Sequence, residues 1–250
     1  MSEGRPEITL YQFAADTGVE SASPFCAKVH RLLAFKRLAY ELRDVGNPAV
    51  LKRLNPKARK VPVLEYDGEV VADSSRIFDF VDARHPTPPL WPEDRAQKAR
   101  ARLIEDWADE SLYWFAVYQR WAVDLNFEPF RRRAFGAMPL PLRWFVPEVI
   151  RRQVRAQLHA QGLGRLGSEG VLAALEGHVG MIADHLAGAP FLFGSALTGA
   201  DLAVFAPLRA MAIVEASPES AAVVRASRTV VAWLERVDAA TTNEHTRTFG

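Results

Sequence analysis

The first third of the chain alternates short apolar runs with amphipathic segments. The apolar runs have the length and alternation of β-strands. They cover residues 8–13, 40–45, 61–67 and 69–72. The amphipathic segments repeat with helical spacing at residues 24–38, 48–54 and 74–83. The order β-α-β-α-β-β-α predicts helices packed against a small mixed sheet.

A proline-rich segment ends this pattern. Residues 85–92 read HPTPPLWP, with four prolines in eight positions, and neither a helix nor a central strand accommodates that many. We interpret the segment as a linker between a domain of residues 1–84 and a second domain of residues 93–250.

The second domain shows helical periodicity and no strand pattern. Helices are expected at residues 93–127, 146–161, 169–186, 198–215 and 228–239. The tail from residue 241 is expected to fray. The chain therefore predicts an α/β domain followed by an all-helical domain.

The composition is that of an ordinary globular protein. The chain has 250 residues, of which 49% are hydrophobic and 24% charged, and its formal net charge is +1. That charge gives no overall attraction to nucleic acid or membranes. A single cysteine excludes internal disulfides. Because we find neither a signal-peptide core nor an apolar run of roughly 18 residues, we expect a cytoplasmic protein.

The turn Ser23-Pro24-Phe25-Cys26 is the first candidate for chemistry. Proline favours the first helical position, which makes Ser23 the N-cap of the following helix. The free N–H groups and positive dipole end there favour an anion. The Ser23 hydroxyl can therefore donate a hydrogen bond to the sulfur of a ligand and favour its thiolate form. The alternative is that Ser23 only caps the helix.

Cys26 lies at the third position of the same helix. Helix N-termini lower thiol pKa values, so Cys26 is a candidate accessory thiol that forms a mixed disulfide with a small thiol. No second cysteine exists to resolve that bond, which excludes dithiol oxidoreductase chemistry. The alternative is an inert buried cysteine.

Two further segments suggest a site for a peptide-like ligand. The proline of Val61-Pro62 removes a ladder hydrogen bond at the start of a strand, and a cis peptide there would expose the Val61 backbone to a ligand. Asp73-Ser74-Ser75 combines a carboxylate, hydroxyls and helix N–H groups. Such a set can hold an amino-acid backbone, with Asp73 on the ammonium and Ser74 on the carboxylate. The alternative is again simple helix capping.

Together these segments resemble the glutathione transferase superfamily. The resemblance rests on the Ser-Pro-Phe-Cys turn, on residues 55–64 with Lys60-Val61-Pro62, and on residues 73–77. Residues 194–201 also resemble the helix-capping segment of that superfamily, with Thr198 as N-cap and Asp201 reaching back to it. The implied fold is a thioredoxin-like glutathione-binding domain followed by the all-helical domain. The Ser-Pro-Phe-Cys turn and residues 110–121 and 159–165 look closer to the failed axon connections, cadmium-responsive and metaxin-like branch.

The resemblance implies a role for each matching residue. Ser23 stabilises the glutathione thiolate, Phe25 lies beside the tripeptide, and Val61 with Pro62 pairs with its cysteinyl unit. Asp73 and Ser74 bind the γ-glutamyl end, and Lys60 contacts the glycine carboxylate. The resemblance also implies glutathione as co-substrate, no metal, a small hydrophobic electrophile and a homodimer.

Aromatic side chains near residue 115 suggest the pocket for that electrophile. Tyr113, Trp114, Phe115, Tyr118 and Trp121 exceed what one helical face can bury, so some should face the first domain. We assign Trp114, Tyr118 and Trp121 to the substrate pocket. The alternative is that all five belong to the core.

A basic segment and a glycine motif complete the candidates. Residues 131–165 contain eight arginines and one acid, and they form either a solvated helix face or a surface for anionic lipid, nucleic acid or substrate. We expect no nucleic-acid partner and do not favour membrane contact. Residues 162–167 match G-x-G-x-x-G but follow a helix, so we interpret them as a turn rather than a dinucleotide site.

Three functions follow from these features. We favour a glutathione transferase. A non-catalytic binding module of the same fold, which uses the basic surface, is the alternative. Lyase or thiol-transferase activity through Cys26 is the third possibility.

Overall fold

The structure is a computed structural model that describes residues 6–242 and 246–248. Its first domain contains the seven expected elements in the expected order. They are β1 (Ile8–Gln12), α1 (Pro24–Phe35), β2 (Tyr40–Asp44), α2 (Pro48–Leu54), β3 (Val63–Tyr66), β4 (Glu69–Ala72) and α3 (Ser74–Arg84). The thioredoxin-like order is therefore confirmed.

Leu10 lies at the centre of the mixed sheet. It pairs with Leu42 of the parallel strand β2 and with Leu64 of the antiparallel strand β3, and Leu64 pairs in turn with Val71 of β4. Leu10, Leu64 and Val71 are buried in the same core as Ile77 of α3. The sheet thus forms the floor of the domain, and α1 and α3 pack against each other on it.

A fifth strand comes from the C-terminal tail. Residues Thr246–Thr248 form β5 and pair in parallel with β2, which gives the sheet order β4-β3-β1-β2-β5. The expectation of no strand beyond the linker, and of a frayed tail, was wrong for these three residues. An unpaired strand edge accepts any extended segment of backbone, and three residues are too short to show an alternation. Residues 243–245 and 249–250 of the tail lie outside the described residues.

The second domain is built from helices. They are α4 (Arg95–Trp107), a π-helix (Ala108–Leu112), α5 (Tyr113–Trp121), α6 (Asp124–Phe135), α7 (Leu142–Gln161), a 3₁₀ turn (Leu163–Arg165), α8 (Gly167–Leu186), α9 (Gly199–Met211), α10 (Pro218–Ala226) and α11 (Arg228–Ala240). The single helix expected at residues 93–127 is divided, because a π-helical turn interrupts it and Val123 is extended. Helix α10 was not expected. None of the helices in the described part of the chain is both long and apolar enough to cross a bilayer.

Asp201 anchors the start of α9, the most buried helix. Its carboxylate accepts hydrogen bonds from the Thr198 N–H (2.9 Å) and hydroxyl (2.8 Å), the Leu192 N–H (2.9 Å) and the Trp233 indole (2.9 Å). This arrangement confirms the predicted capping segment. Because α9 packs against both α1 and α4, its position fixes the second domain relative to the first.

Candidate functional site

A cleft of about 570 Å³ lies between the two domains. Its first-domain wall contains all six residues that the sequence assigned to glutathione besides Ser23. They are Phe25, Lys60, Val61, Pro62, Asp73 and Ser74. The facing wall comes from α4 and the π-helix. The fold therefore brings three separate sequence motifs to one cavity.

The β3–β4 hairpin explains why two of those motifs meet. Val63 pairs with Ala72, so the residues one step further out, Pro62 and Asp73, lie side by side. The Asp73 N–H donates to the Pro62 carbonyl at 3.4 Å. The Val61-Pro62 peptide is cis, the geometry that would expose the Val61 backbone to a ligand.

Asp73 begins α3 in a conformation unusual for a non-glycine residue. Its φ is +84°, and its Oδ1 accepts the N–H groups of Ser75 and Arg76, each at 3.1 Å. The carboxylate therefore caps the helix through one oxygen. Among the described residues no donor reaches Oδ2. A residue held in such a strained conformation is a frequent feature of ligand sites.

The second-domain wall is built around a buried lysine that sequence reasoning missed. Lys28 of α1 is 1% exposed, and its Nζ lies 2.5 Å from Asp109 Oδ2 and 3.3 Å from Glu105 Oε1. The Ser75 hydroxyl donates to Glu105 at 2.9 Å. Burial raises the pKa of Asp109, although the Lys28 ammonium opposes that change. Two features of the sequence could have indicated this cluster. Lys28 lies in a largely apolar helical stretch, and Glu105 and Asp109 are four residues apart, on one face of a helix.

The two walls carry opposite charges near their rims. Lys57, Lys60 and Arg76 line the first-domain side beside the Asp73 carboxylate, while Asp106 and Glu110 line the other beside Arg102, whose charge is ion-paired. A ligand that has both an ammonium and carboxylates finds opposite charges on both sides. The cleft therefore suits a zwitterionic peptide-like molecule.

Ser23 lies at the head of α1 and beside the cleft rather than on its described lining. It is the N-cap of the helix, and its carbonyl accepts the N–H groups of Cys26 and Ala27, each at 3.0 Å. Its side chain is half-buried. Two residues later, Phe25 does line the cleft. The hydroxyl makes no capping bond to the helix backbone. It lies instead within hydrogen-bonding reach of the Cys26 thiol.

The loop before Ser23 is held by the second domain. Arg120 donates to the carbonyl of Ala22, and Asp16 lies 3.7 Å from Arg120 and 2.7 Å from Arg133. Burial lowers the pKa of the Arg120 guanidinium, and the neighbouring Asp16 charge partly offsets that effect. The position of Ser23 thus depends on both domains.

Cys26 does not have the reactive thiol expected at a helix N-terminus. It is fully buried against Leu51 and Val61. Burial raises its pKa to about 11, despite a hydrogen bond from Ser23 that acts in the opposite direction. The expectation of a lowered pKa was wrong, because loss of solvation outweighs the helix dipole when a thiol is enclosed by apolar side chains.

The aromatic residues are arranged differently from the expectation. Tyr113 meets the first domain, with its ring centroid 4.6 Å from that of Phe25. Trp121 packs instead against Phe127 and Phe130, at 5.7 and 5.1 Å. Trp114, Tyr118 and Trp121 are absent from the described lining of the cleft. The π-helical turn adds a residue before α5 and so rotates the face that regular periodicity predicts.

Among residues 6–242 and 246–248, no three histidine, cysteine or acidic side chains are placed to hold a metal ion together.

Comparisons with known proteins match both halves of the chain to the domains of one protein family. Residues 24–127 match the model "Glutathione S-transferase N-terminal domain", and residues 147–236 match "Glutathione S-transferase, C-terminal domain". An isoprene-epoxide glutathione S-transferase from Rhodococcus sp. (strain AD45) is 25% identical over 92% of this chain and 97% of that protein. Glutathione transferase GST 23 from Zea mays is 38% identical, but over only 37% of this chain and 45% of its own length.

A solved structure confirms the fold. Glutathione transferase GSTFuA3 from Phanerochaete chrysosporium superposes with a TM-score of 0.68 and 22% identity over 95% of this chain and 98% of that one.

Proposed function

Because the chain belongs to the glutathione S-transferase superfamily, we propose that it is an enzyme that joins the sulfur of glutathione to a hydrophobic electrophile. The observation that carries the proposal is the convergence of Phe25, Lys60, Val61-Pro62 and Asp73-Ser74 on one cleft. The non-catalytic alternative, which uses the basic surface, does not account for this convergence.

In this proposal the charged rims orient the tripeptide. The α-ammonium of the γ-glutamyl unit lies at Asp73, whose Oδ2 accepts from it. The α-carboxylate lies at Ser74 and the N-terminus of α3. The Val61 backbone pairs with the cysteinyl unit, and Lys60 attracts the glycine carboxylate. This orientation directs the cysteinyl sulfur toward the head of α1.

Ser23 then acts on the sulfur. A free thiol has a pKa of about 8.5 and is mostly protonated at neutral pH. The glutathione thiol gives its proton to water, and a hydroxyl that donates to the sulfur stabilises the resulting thiolate, which is the nucleophile. The thiolate lone pair forms the new S–C bond, and the electrophile loses a leaving group with its bonding pair or, for an epoxide, opens a C–O bond and takes a proton from water. The Rhodococcus relative is named for an epoxide, which makes epoxides the first substrates to assay.

Other features remain predictions. They include cytoplasmic location, a homodimer, the failed axon connections branch and the substrate role of Trp114, Tyr118 and Trp121. Thiol chemistry at Cys26 is not part of the proposal, because its pKa is about 11.

Replacement of Ser23 tests the catalytic step. We expect Ser23→Ala to lower the rate of conjugation of glutathione to a chlorodinitrobenzene by about 10²- to 10³-fold, the loss typical of one donor to a developing anion. Calorimetry should show glutathione affinity nearly unchanged. Ser168→Ala, at an exposed serine near the start of α8, is the matched control. Conjugation by Ser23→Ala at the parent rate would show that Ser23 has no such role.

A further inference from the structure

An exposed apolar surface lies at the turn between α6 and α7. We call it the α6–α7 patch. It consists of Leu140, Leu142, Trp144, Phe145 and Val149, whose side chains are 52–68% exposed, together with Arg132, Arg143 and Arg152. Large apolar side chains that lie together on a surface mark an interaction site more often than an accident of folding.

Helix α7 presents apolar residues on two faces. Pro147 and Leu158 are buried against the domain. Leu142, Phe145 and Val149 follow one another at spacings of three and four, so they share the opposite, outward face. A helix that packs against the domain on a single side requires a single apolar stripe. The outward stripe is therefore not explained by the fold.

The surroundings of the stripe are strongly basic. Residues 124–155 contain seven arginines and three acids. Glu128 is already paired with Arg131 and Arg132, and Asp124 with Arg151. Within the described residues, Arg143 and Arg152 have no ion pair. Arg133 is paired with Asp16. In the described part of the chain, the uncompensated positive charge at this surface is therefore that of Arg143, Arg152 and Arg155.

A basic pocket opens beside the apolar side chains. It has a volume of about 530 Å³. Arg131, Arg132 and Arg143 line it together with Glu128 and the rings of Phe135 and Trp144. Glu128 pairs with Arg131 and Arg132, so among the described residues Arg143 is the lining arginine without an ion pair. Arginine forks bind phosphate oxygens in pairs. The pocket therefore offers an anion site within reach of the outward stripe.

We infer that the α6–α7 patch docks the protein on a membrane surface of anionic phospholipids. Trp144, Phe145 and the outward stripe enter the boundary between headgroups and acyl chains, while the arginines meet lipid phosphates. Aromatic and aliphatic residues beside arginines are the pattern of helices that lie in that boundary. This inference is independent of the proposed catalytic function.

Charge and shape favour lipid over two other occupants. A second copy related by a twofold axis would place two copies of the same positively charged surface against each other. A nucleic acid would satisfy the arginines but leave Leu140 and Val149 uncovered, since it contacts proteins through phosphates and flat bases. A bilayer satisfies both the charged and the apolar part of the patch.

Vesicle flotation of the full-length protein tests the inference. The protein should float with phosphatidylcholine vesicles that contain phosphatidylglycerol and not with phosphatidylcholine alone. Added salt should weaken the binding. Each arginine near an anionic surface contributes about five-fold in affinity, so the double variant Arg132→Gln/Arg143→Gln should bind about 30-fold more weakly. Arg225→Gln/Arg228→Gln, at exposed arginines elsewhere, is the matched control.

Fluorescence tests the apolar contact directly. Brominated acyl chains should quench the tryptophan emission of the bound protein, and Trp144→Phe should lose most of that quenching while still floating. Phe145→Ser should float less, whereas Leu166→Ser, at an exposed leucine between the 3₁₀ turn and α8, should behave as the parent.

Several results would overturn the inference. These are absence of flotation with phosphatidylglycerol, equal binding by the arginine variants, or quenching that does not depend on Trp144. A dimer that Phe145→Ser separates, or oligonucleotide binding without vesicle binding, would assign the patch to another partner. Conjugation activity is measured in parallel, because its loss or retention bears on Ser23 and not on the patch.

Discussion

His30 of α1 is enclosed in a chain of polar side chains. Its Nε2 lies 2.6 Å from Gln12 Oε1, and its Nδ1 lies 2.6 Å from the Tyr40 hydroxyl. Because a carbonyl oxygen only accepts, Nε2 carries the proton and Nδ1 accepts from Tyr40. Burial lowers the pKa of His30 to about 4, and the charge of Arg31 adds to the effect. The ring is therefore neutral in the folded protein at physiological pH.

This histidine makes stability depend on pH. The ordinary pKa of 6.5 applies in the unfolded chain and about 4 in the folded one, so between these values the unfolded chain binds more protons. Stability should fall as pH drops from 6.5 toward 4, by roughly 3 kcal/mol from this group. Urea unfolding at both ends of that window measures it. His30→Gln should lack this part of the dependence, and an identical pH profile in the variant would contradict the assignment.

Lys28 is also buried, but unlike His30 it is paired with carboxylates inside the protein. Lys28→Met should lower the free energy of unfolding by about 3–5 kcal/mol, since it leaves Glu105 and Asp109 buried without their cation. Denaturant titration gives the value. Arg43→Gln removes an exposed ion pair with Glu41 and should cost less than about 1 kcal/mol. Equal losses in the free energy of unfolding for the two variants would show that the buried cluster stabilises the protein no more than an exposed ion pair does.

The sequence predicted the first-domain wall of the cleft but not the second. Ser23, Val61-Pro62 and Asp73 stand out because proline and capping residues act locally, through neighbours in the chain. Lys28, Glu105 and Asp109 show no such signal, since their contacts depend on how two domains pack. Cys26 illustrates the same limit. Its place at the helix start was evident, whereas the apolar side chains that enclose it were not.

At the scale of elements, periodicity located most helices and strands and misjudged where the regular pattern changes. The π-helix inserts a residue without a break in helical backbone, so the faces of α5 could not be counted from α4. Tyr113 therefore meets Phe25, and Trp121 joins the core. Helix α10 is short, and strand β5 depends on a partner strand distant in sequence.

The capping segment of α9 was predicted correctly, and it supports a specific test. Asp201→Asn places an amide N–H₂ among four donors that now point at a carboxylate. We expect a loss of more than about 3 kcal/mol, because buried hydrogen bonds to a charged group contribute about 1.5–3 kcal/mol each. Thermal or urea unfolding measures it. Asp184→Asn, exposed on α8, is the control, and a similar small effect in both variants would refute the anchoring role.

At the scale of the whole molecule, the two domains share one apolar core. Buried residues from β1 and α1 belong to the same continuous cluster as those of α9 and α11. Arg31 of α1 also binds Asp238 at 2.6 Å. The linker thus separates the domains in sequence without dividing their interior.

A shared core predicts a single unfolding transition. All six tryptophans lie at residue 91 or later, so their fluorescence reports on the linker and second domain alone. Hydrogen exchange at the amides of β1 and β3 reports on the first domain. The two probes should give the same midpoint in urea. Midpoints that differ clearly would mean that the domains unfold separately.

The partners of α1 have a consequence for biosynthesis. Asp109, which binds Lys28, is synthesised 81 residues after it, and Asp238, which binds Arg31, is synthesised 207 residues after it. While the ribosome is still translating the helical half, Arg31 has Glu20 of the first domain as a partner. The carboxylates that pair with Lys28 have not yet been made, so its ammonium must stay hydrated and the surface around it cannot close. Completion of this helix's environment therefore comes near the end of translation, and premature compaction of the N-terminal half is disfavoured.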